Sequence, residues 1–202
     1  MAGPVLDFWY DFASVYSYLS AMRIAPLAEA AGVTVRWRPF LLGPVFQKQG
    51  MADSPVKLFP LKGAYIARDM ERLAADLGVG FVWPATFPQS GVLAARVALV
   101  GLDSGWGEEF SRRVYTAQFA DGRVISEPAT IAGVLAALEL PAEATLAQAE
   151  ADTNRAKLRT NTAEALDRGL FGGPSFTCAD GEMFWDNDRL EQALRWAVRT
   201  AG

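Results

Sequence analysis

The chain contains no histidine and only one cysteine, Cys178, among its 202 residues. Without histidine, it cannot build a Ser-His catalytic pair or a metal site that uses imidazole ligands, and no metal is expected. A single cysteine excludes an internal disulfide and a cysteine-rich zinc site. Cys178 follows Phe176 by two residues in a short apolar segment, which is typical of a small buried side chain. We therefore assign it no function.

The chain also lacks an excess of positive charge and a long apolar run. Its 19 basic and 23 acidic residues give a formal net charge of −4. Because nucleic acids and anionic membranes attract basic surfaces, neither is an expected partner. No apolar run reaches the length that spans a bilayer, and no signal peptide precedes the first apolar segment. With 51% hydrophobic residues, we expect a soluble cytoplasmic protein with a substantial core.

The N-terminal part of the chain has the pattern strand, helix, strand. β-Branched and aromatic residues from Val5 to Phe12 predict a buried strand. A helix from Ser14 to Ala31 follows at once and is expected to end at Gly32, since glycine is a frequent C-terminal stop. Residues 33–39 predict a second strand, parallel to the first through a right-handed crossover.

The middle of the chain predicts a helical region of about a hundred residues, because helical spacing of apolar residues recurs there without strand signals. One helix carries an apolar stripe from Ile66 to Leu77 and is expected to end at Gly78. Ser126 is expected to be the N-cap of a later helix. The further helices are predicted at 90–103, 106–119, 127–139 and 145–168.

The C-terminal part returns to strands. Two short apolar segments, 171–178 and 182–185, flank the turn residues 179–181 and predict a β-hairpin. A final helix is expected over 187–200, with an apolar face that runs from Leu190 to Val198.

The order of these elements predicts the fold class. Strand, helix and strand come first, then a helical block, and then a helix, a hairpin and a final helix. This order indicates an α/β protein in which a thioredoxin-like domain is interrupted by an all-helical insertion domain. We expect the thioredoxin-like domain to comprise residues 1–45 and 165–202, the insertion domain to comprise 46–164, and the active cleft to lie between them.

Four sets of residues follow one known pattern. The first two are Asp11-Phe-Ala-Ser-Val-Tyr-Ser-Tyr-Leu19 and Arg36-Trp-Arg-Pro-Phe-Leu-Leu-Gly43. The third is Pro60-Leu-Lys-Gly-Ala-Tyr65, and the fourth joins Phe171-Gly-Gly-Pro-Ser-Phe176 to Phe184-Trp-Asp-Asn-Asp-Arg-Leu190. Together they span nearly the whole chain in the right order. They resemble 2-hydroxychromene-2-carboxylate isomerases and the related kappa-class glutathione transferases, in the DsbA-like branch of thioredoxin folds.

Three positions depart from the family pattern. Val15 stands where the family has proline, so the helix lacks a preorganised first residue. Gly173 stands where the family has valine, which predicts a looser segment before Pro174. Asp53 stands where the kappa class has asparagine near the bound peptide. These departures bear on the ligands rather than on the fold.

The resemblance places Ser14 where thioredoxin-like proteins carry a reactive cysteine. A hydroxyl cannot exchange disulfides, but it can donate a hydrogen bond to the thiolate of glutathione, which the resemblance makes the expected cofactor. By the same resemblance, Lys62 would pair with a carboxylate of glutathione or of the substrate. Taken alone, Ser14 is more simply explained as a helix N-cap, and Lys62 as a solvated lysine in a first helical turn.

The resemblance also implies that the segment before the hairpin contributes to the glutathione site. A cis bond between Gly173 and Pro174 would expose main chain with which an extended peptide can pair, and the resemblance also assigns Trp185 to glutathione binding. The alternative is an ordinary trans turn that leads into a strand.

The run Asp186-Asn187-Asp188 precedes the last helix, so its side chains and free amides gather at a helix N-terminus. The resemblance assigns all three residues to glutathione binding. The Asp188 carboxylate would take the γ-glutamyl ammonium, and Asn187 with the free amides would take the carboxylate. The alternative is a plain N-cap, a role for which Asn187 is well suited.

Three aromatic residues, Phe46, Trp83 and Phe87, fall in loops rather than in helical stripes. By the resemblance, they border a pocket for a flat aromatic acid. The alternative is that they fill the gap between the two domains.

The resemblance implies a glutathione-dependent isomerase that interconverts 2-hydroxychromene-2-carboxylate and trans-o-hydroxybenzylidenepyruvate, or a close analogue, in aromatic-compound catabolism. Two alternatives stay open. A kappa-type transferase would use the same thiolate but release a conjugate, and a non-catalytic module would bind peptides or a partner. The expected ligand is an aromatic carboxylate. A homodimer is compatible with the resemblance, since relatives are often dimers.

Overall fold

The computed structural model describes residues 3–201, which form a mixed four-stranded sheet surrounded by helices. The strands are β1 (Val5–Tyr10), β2 (Thr34–Pro39), β3 (Ser175–Cys178) and β4 (Met183–Trp185). A 3-10 turn at Asn187–Arg189 leads into the last helix. The helices are α1 (Val15–Ala31), α2 (Leu42–Lys48), α3 (Pro55–Leu58), α4 (Pro60–Leu77), α5 (Val92–Ser104), α6 (Gly107–Phe119), α7 (Pro128–Ala137), α8 (Ala142–Glu150), α9 (Asp152–Asp167) and α10 (Leu190–Thr200).

The sheet has the strand order β2-β1-β3-β4. β1 pairs in parallel with β2, with Leu6 opposite Val35, and antiparallel with β3, where Leu6 lies opposite Cys178. β3 pairs antiparallel with β4. The predicted parallel crossover and the predicted hairpin are therefore confirmed, and the fold is the thioredoxin-like α/β arrangement with a helical insertion.

β1 is buried because helices cover both faces of the sheet. Leu6, Phe8 and Tyr10 point to one face and join the main core, which includes buried residues of α1, α5, α6 and α10. Trp9 points to the other face and packs in a second cluster with Phe40. This double burial accounts for the continuous apolar pattern of the first predicted strand.

The second face of the sheet is covered by the C-terminal half of α9. Asn161 donates a hydrogen bond to the Pro39 carbonyl at 3.1 Å, and Arg38 forms an ion pair with Glu164. The domain boundary predicted between residues 164 and 165 therefore falls inside one continuous helix.

Two predicted details of the helical region are wrong. Ser126 is not the N-cap of α7, because Pro128 occupies the first helical position and favours extended backbone at the residue before it, which makes Glu127 the N-cap. The helix predicted over 145–168 is two helices that meet at Ala151, whose ψ of 144° is extended.

Asn154 provides the physical reason for this break. Its side-chain amide donates to the Ala149 carbonyl at 3.0 Å and to the Arg96 carbonyl at 2.9 Å. A side-chain amide that binds nearby main-chain groups competes with continuation of the helix.

The last helix also differs from its prediction. Residues 187–189 form a 3-10 turn rather than the first turn of the α-helix. Val198 is 45% exposed, whereas Ala193 and Ala197 are buried together with Leu190. The buried face of the helix therefore includes Ala193 and Ala197 rather than Val198.

Between residues 3 and 201, no helix has both the length and the apolarity that crossing a bilayer requires. Nor do these residues contain a group of three or more His, Cys, Asp or Glu side chains that could hold a metal ion. Cys178 is buried, as predicted, and burial raises the pKa of its thiol to about 11.

Candidate active site

A cavity of about 750 Å³ opens beside the start of α1. Its wall is formed by the turn from β1 into α1, by α2 and the loop after it, by the start of α4, by the loop before α5, and by the segments that flank the hairpin. Small-molecule sites have volumes of roughly 300–1,000 Å³, so this cavity has the size of a ligand site.

Ser14 lies at the cavity wall because β1 ends at Tyr10 and the chain turns at once into α1. Its backbone is extended, and its Oγ accepts a hydrogen bond from the Ser17 amide at 3.1 Å, which makes Ser14 the N-cap of α1. The same Oγ donates to the Gly173 carbonyl at 2.7 Å. A hydroxyl carries one proton, so it can donate to a ligand only after turning away from Gly173.

The first turn of α1 adds main-chain donors beside this hydroxyl. Val15 and Tyr16 are the first two residues of the helix, and both line the cavity. Amides in a first helical turn have no acceptor within their own helix, and the helix dipole there favours an anion. The cavity wall at Ser14 therefore suits a negatively charged ligand atom.

Asp11 is a cavity residue to which the sequence analysis gave no role. Its Oδ1 accepts from the Ala13 amide at 2.7 Å and its Oδ2 from the Leu42 amide at 2.6 Å, so it ties the turn before α1 to the start of α2. Burial raises the pKa of Asp11, and these two amides oppose that effect. An acidic residue directly after a continuous apolar strand was the signal that could have identified it.

The segment before β3 forms the part of the wall that adjoins Ser14. The Gly173–Pro174 bond is cis, as predicted, and Gly173 lines the cavity, while Pro174 is outside the lining set. Trp185 also lines the cavity and packs edge-on against Phe171, with ring centroids 4.9 Å apart. These two aromatic side chains are 42–43% exposed.

The three residues of the run 186–188 point to different places, although the sequence analysis treated them together. Asp186 lines the cavity. Asn187 is buried away from it, because its Oδ1 accepts from Ser20 and from Arg23. Asp188 is exposed and pairs with the adjacent Arg189 at 3.2 Å. Of the three residues, Asp186 alone is among those that line the cavity.

The predicted aromatic residues also separate. Phe46 and Phe87 line the cavity, but Trp83 does not. The Trp83 ring packs on Phe87, at 4.7 Å between centroids, and on Phe81, so it supports the wall from behind. Phe59 lines the cavity as well, and the sequence analysis did not single it out.

Four charged side chains line the cavity in the part of the chain that the structure describes: Lys62, Asp11, Asp53 and Asp186. Lys62 is exposed in the first turn of α4, where it can reach an anionic ligand. The Ser54 amide, assisted by Lys57, holds the pKa of Asp53 below its usual value. Burial raises the pKa of Asp186.

Comparison with known proteins gives one family match. The model of a family described as DSBA-like thioredoxin domain matches residues 5–195 of this chain. The match therefore spans the strands, the helical insertion and the cavity wall.

Individual proteins are similar over most of the chain. The 2-hydroxychromene-2-carboxylate isomerase of Sphingobium xenophagum is 27% identical over 186 residues, which are 92% of this chain and 94% of that protein. Glutathione S-transferase kappa 1 of Homo sapiens is 25% identical over 205 residues, or 94% of this chain and 90% of that protein. A solved structure of 2-hydroxychromene-2-carboxylate isomerase superposes with a TM-score of 0.87 at 24% identity, and covers 97% of this chain and 95% of that chain.

Proposed function

Since this chain belongs to the DSBA-like thioredoxin domain family, we propose that it is a glutathione-dependent isomerase of 2-hydroxychromene-2-carboxylate or a close analogue, in aromatic-compound catabolism. The observation that carries the proposal is the position of Ser14, a hydroxyl at the start of α1 and at the wall of a cavity of ligand size. Similarity to an isomerase over 92% of the chain supports the reaction class.

The cavity has groups that suit glutathione. Lys62 offers a cation for a carboxylate, and the first turn of α1 offers donors for a thiolate. Gly173 brings main chain to the cavity wall, where an extended peptide can pair. Phe46 and Phe87 add aromatic surface for a flat substrate.

Bound glutathione would supply a thiolate that adds reversibly to the conjugated substrate, so that a former double bond can rotate before the thiol leaves unchanged. The protein must therefore favour the thiolate at neutral pH. A free thiol has a pKa of about 8.5, and lowering it to about 6.5 requires roughly 2.7 kcal/mol. No strong base is needed.

Ser14 and the start of α1 share this task. A hydroxyl that donates to a charged acceptor contributes about 1.5–3 kcal/mol, but giving up its bond to Gly173 costs about 0.5–1.5 kcal/mol. The remainder must come from the first turn of α1, where a helix terminus contributes roughly 0.3–1 kcal/mol and about 2 kcal/mol when partly buried. At central values the hydroxyl gives a net of about 1.3 kcal/mol, so the required preference is reached when the helix terminus contributes the about 2 kcal/mol of a partly buried site.

A kappa-type glutathione transferase is the second candidate, and similarity to the human kappa protein over 94% of the chain favours it. The same groups would stabilise the same thiolate, but the product would be a conjugate. The two functions differ in stoichiometry, because a transferase consumes glutathione and an isomerase does not.

The experiment is to mix purified protein with 2-hydroxychromene-2-carboxylate and record the ultraviolet spectrum, with and without trace glutathione. Equilibration that requires glutathione and leaves its concentration unchanged is the result expected for the isomerase. Consumption of glutathione with an aromatic electrophile, and no isomerisation, would favour the transferase.

A calorimetric titration with glutathione separates both enzymes from a non-catalytic module. If the protein fails to bind glutathione at millimolar concentration, the glutathione-dependent functions are wrong, and a thioredoxin-fold module that binds peptides or a partner becomes the better interpretation. Ser14→Ala with unchanged turnover would remove Ser14 from the mechanism.

A further inference from the structure

A second cavity, of about 390 Å³, lies outside the candidate active site. It is a groove bordered by α1, α6, α7 and the segment that joins α6 to α7. Among the residues that the structure describes, none lines both cavities. We call this cavity the arginine groove, after its three arginines; its lining residues include Arg112, Arg113, Arg123, Met22, Val134 and Ala137. Its volume is within the range of small-molecule sites.

Two of the three arginines share one acidic partner. The Glu109 Oε2 accepts from Arg112 Nε at 3.2 Å, and its Oε1 accepts from Arg113 Nε at 2.8 Å. In the described part of the chain, Arg112 Nη1 is buried without a hydrogen bond, although the Glu108 carboxylate lies 3.7 Å from it. The terminal nitrogens of a guanidinium are donors that suit the oxygens of an anion. Glu109 therefore leaves these donors available to a ligand.

Arg123 is the least compensated of the three arginines. Its main chain is fixed, because its amide donates to the Ala117 carbonyl at 2.8 Å and its carbonyl accepts from the Gln89 side chain at 3.3 Å. Its side chain is exposed and, within residues 3–201, forms neither a hydrogen bond nor an ion pair. The groove thus contains a cation without an acidic partner.

Gly133 makes room for this cation. Residue 133 lies inside α7, where glycine is less favourable than alanine. A Cβ at this position would lie 3.3 Å from Arg123 Nη2, which is closer than an ordinary van der Waals contact. The missing side chain therefore allows the Arg123 guanidinium to lie directly against the helix.

The remaining wall indicates the kind of anion that would fit. The lining residues carry three positive charges, from the arginines, and two negative charges, from Glu109 and Asp121, which leaves one excess positive charge. Met22, Val134 and Ala137 add apolar surface beside the charged groups. A ligand with one negative charge and a small apolar body matches both properties.

We propose that the arginine groove is a second ligand site, which binds a small organic monocarboxylate with an apolar body. The carboxylate would accept from the guanidinium groups that line the groove, because its two oxygens suit the paired donors of arginine. The apolar body would pack on Met22 and Val134. This site does not depend on the proposed function, since it involves neither glutathione nor the first cavity.

The test is a nitrogen–proton correlation NMR titration, because backbone amide signals report on the two cavities separately. The probe is benzoate, and benzamide is its uncharged match with the same ring. The proteins are the wild type, Arg123→Gln, Asp121→Asn and the control Arg159→Gln, which removes an exposed arginine of α9 outside both cavities. Arg123 and Asp121 are exposed, so their variants should keep the fold, and the spectra report this directly.

We expect benzoate to shift the amide signals of residues 121–123 and 133–137 until they saturate, with millimolar affinity. Arg123→Gln should weaken this binding about tenfold, because the cation without an acidic partner is lost. Asp121→Asn should strengthen it about twofold, because an opposing charge is removed. Arg159→Gln should match the wild type, and benzamide should leave these signals unchanged.

Three results would overturn the proposal: no saturable shift in the wild type, equal affinity of the wild type and Arg123→Gln, or an equal response to benzamide. Inorganic phosphate tests the class of ligand. If it binds the groove at least as tightly as benzoate, the site selects an anion without an apolar body, and the assignment to a carboxylate is wrong. Amide signals near Ser14 and Gly173 report on the first cavity, so failure of one site is distinguished from failure of the other.

Discussion

Two helices begin near the same cavity, and their first residues have opposite surroundings. At the start of α1, the Ser14 hydroxyl caps the helix and donates one hydrogen bond to a neutral carbonyl at the cavity wall. At the turn that leads into α10, Asn187 accepts from Ser20 at 3.0 Å and from Arg23 at 3.1 Å, and its carbonyl accepts from Arg23 at 2.7 Å. The Ser14 hydroxyl can exchange its hydrogen-bond partner, whereas Asn187 forms a fixed connection between α1 and the turn that leads into α10.

The difference shows that a polar side chain at a helix start can serve either to bind a ligand or to stabilise the fold. A hydroxyl that leaves a neutral carbonyl for a thiolate gains a stronger bond. An amide oxygen that leaves Arg23 gives up a charge-assisted hydrogen bond, although Glu191 still pairs with that guanidinium at 2.6 Å, and it leaves the buried Ser20 hydroxyl without its acceptor. We therefore expect substitutions at Asn187 to affect stability and substitutions at Ser14 to affect chemistry.

The largest effect is expected for Asn187→Ala. Loss of its side chain leaves Ser20 and Arg23 without the Oδ1 acceptor, and we expect a loss of about 2–4 kcal/mol in unfolding free energy. For a chain of this length, thermal unfolding should fall by roughly 5–15 °C. Differential scanning calorimetry measures it.

Asn161→Ala is the matched control, because it removes one hydrogen bond, to the Pro39 carbonyl, and should cost only about 1 kcal/mol. If Asn187→Ala unfolds at the wild-type temperature but no longer binds glutathione, Asn187 is a ligand group and the contrast between the two helix starts is wrong.

The next effect is expected for Ser14→Ala, which should lower turnover at neutral pH by about tenfold, corresponding to about 1.4 kcal/mol of lost thiolate stabilisation. The pKa of the bound thiol, followed by its ultraviolet absorbance, should rise. The variant should also lose about 1 kcal/mol of stability with the N-cap bond.

Ser14→Thr is the control for this prediction, because it keeps a hydroxyl at the same position and should recover both stability and the thiol pKa. A Ser14→Ala protein with normal turnover and lowered stability would leave Ser14 as a helix cap only.

The fold could be predicted well from the sequence, because strand and helix patterns are local. The stop at Gly32, the hairpin around residues 179–181 and the cis bond at Pro174 are all present. Side-chain direction could not be predicted in the same way. Neighbouring residues in a turn, such as Asp186 and Asn187, diverge according to long-range partners, here Pro174 and Arg23.

A smaller effect on stability is expected for a substitution at Gly173, whose carbonyl accepts the Ser14 hydroxyl. A Cβ at residue 173 would lie 3.4 Å from Phe40 Cζ and 3.6 Å from Leu42 Cδ2, which is ordinary contact. Gly173→Ala should therefore stabilise the protein by about 0.4–1 kcal/mol, because the unfolded chain loses freedom while the folded chain accepts the methyl group. Chemical denaturation measures the gain.

Gly172→Ala is the matched opposite, because a methyl group there would collide with the Trp185 indole nitrogen. We expect this variant to lose stability and to change Trp185 fluorescence. Equal destabilisation by both alanine variants would mean that residue 173 needs glycine, and that the segment which accepts the Ser14 hydroxyl is more constrained than its contacts indicate.

The smallest effect is a pH dependence of stability that distinguishes Asp186 from its neighbour Asn187. Burial raises the folded-state pKa of Asp186 above its value of about 3.9 in an unfolded chain. Its contribution to stability is therefore complete below that pH and is lost as the pH rises through the folded-state pKa. Asp186→Asn has no such titration, so its stability relative to the wild type should improve between pH 3.5 and pH 7, as measured by urea unfolding. Asp76→Asn, which changes an exposed carboxylate of α4, should show no comparable change. If the stability of Asp186→Asn relative to the wild type falls as the pH rises, a cation already pairs with this carboxylate in the free protein. The contrast between the unpaired Asp186 at the cavity wall and the fully paired Asn187 would then no longer hold.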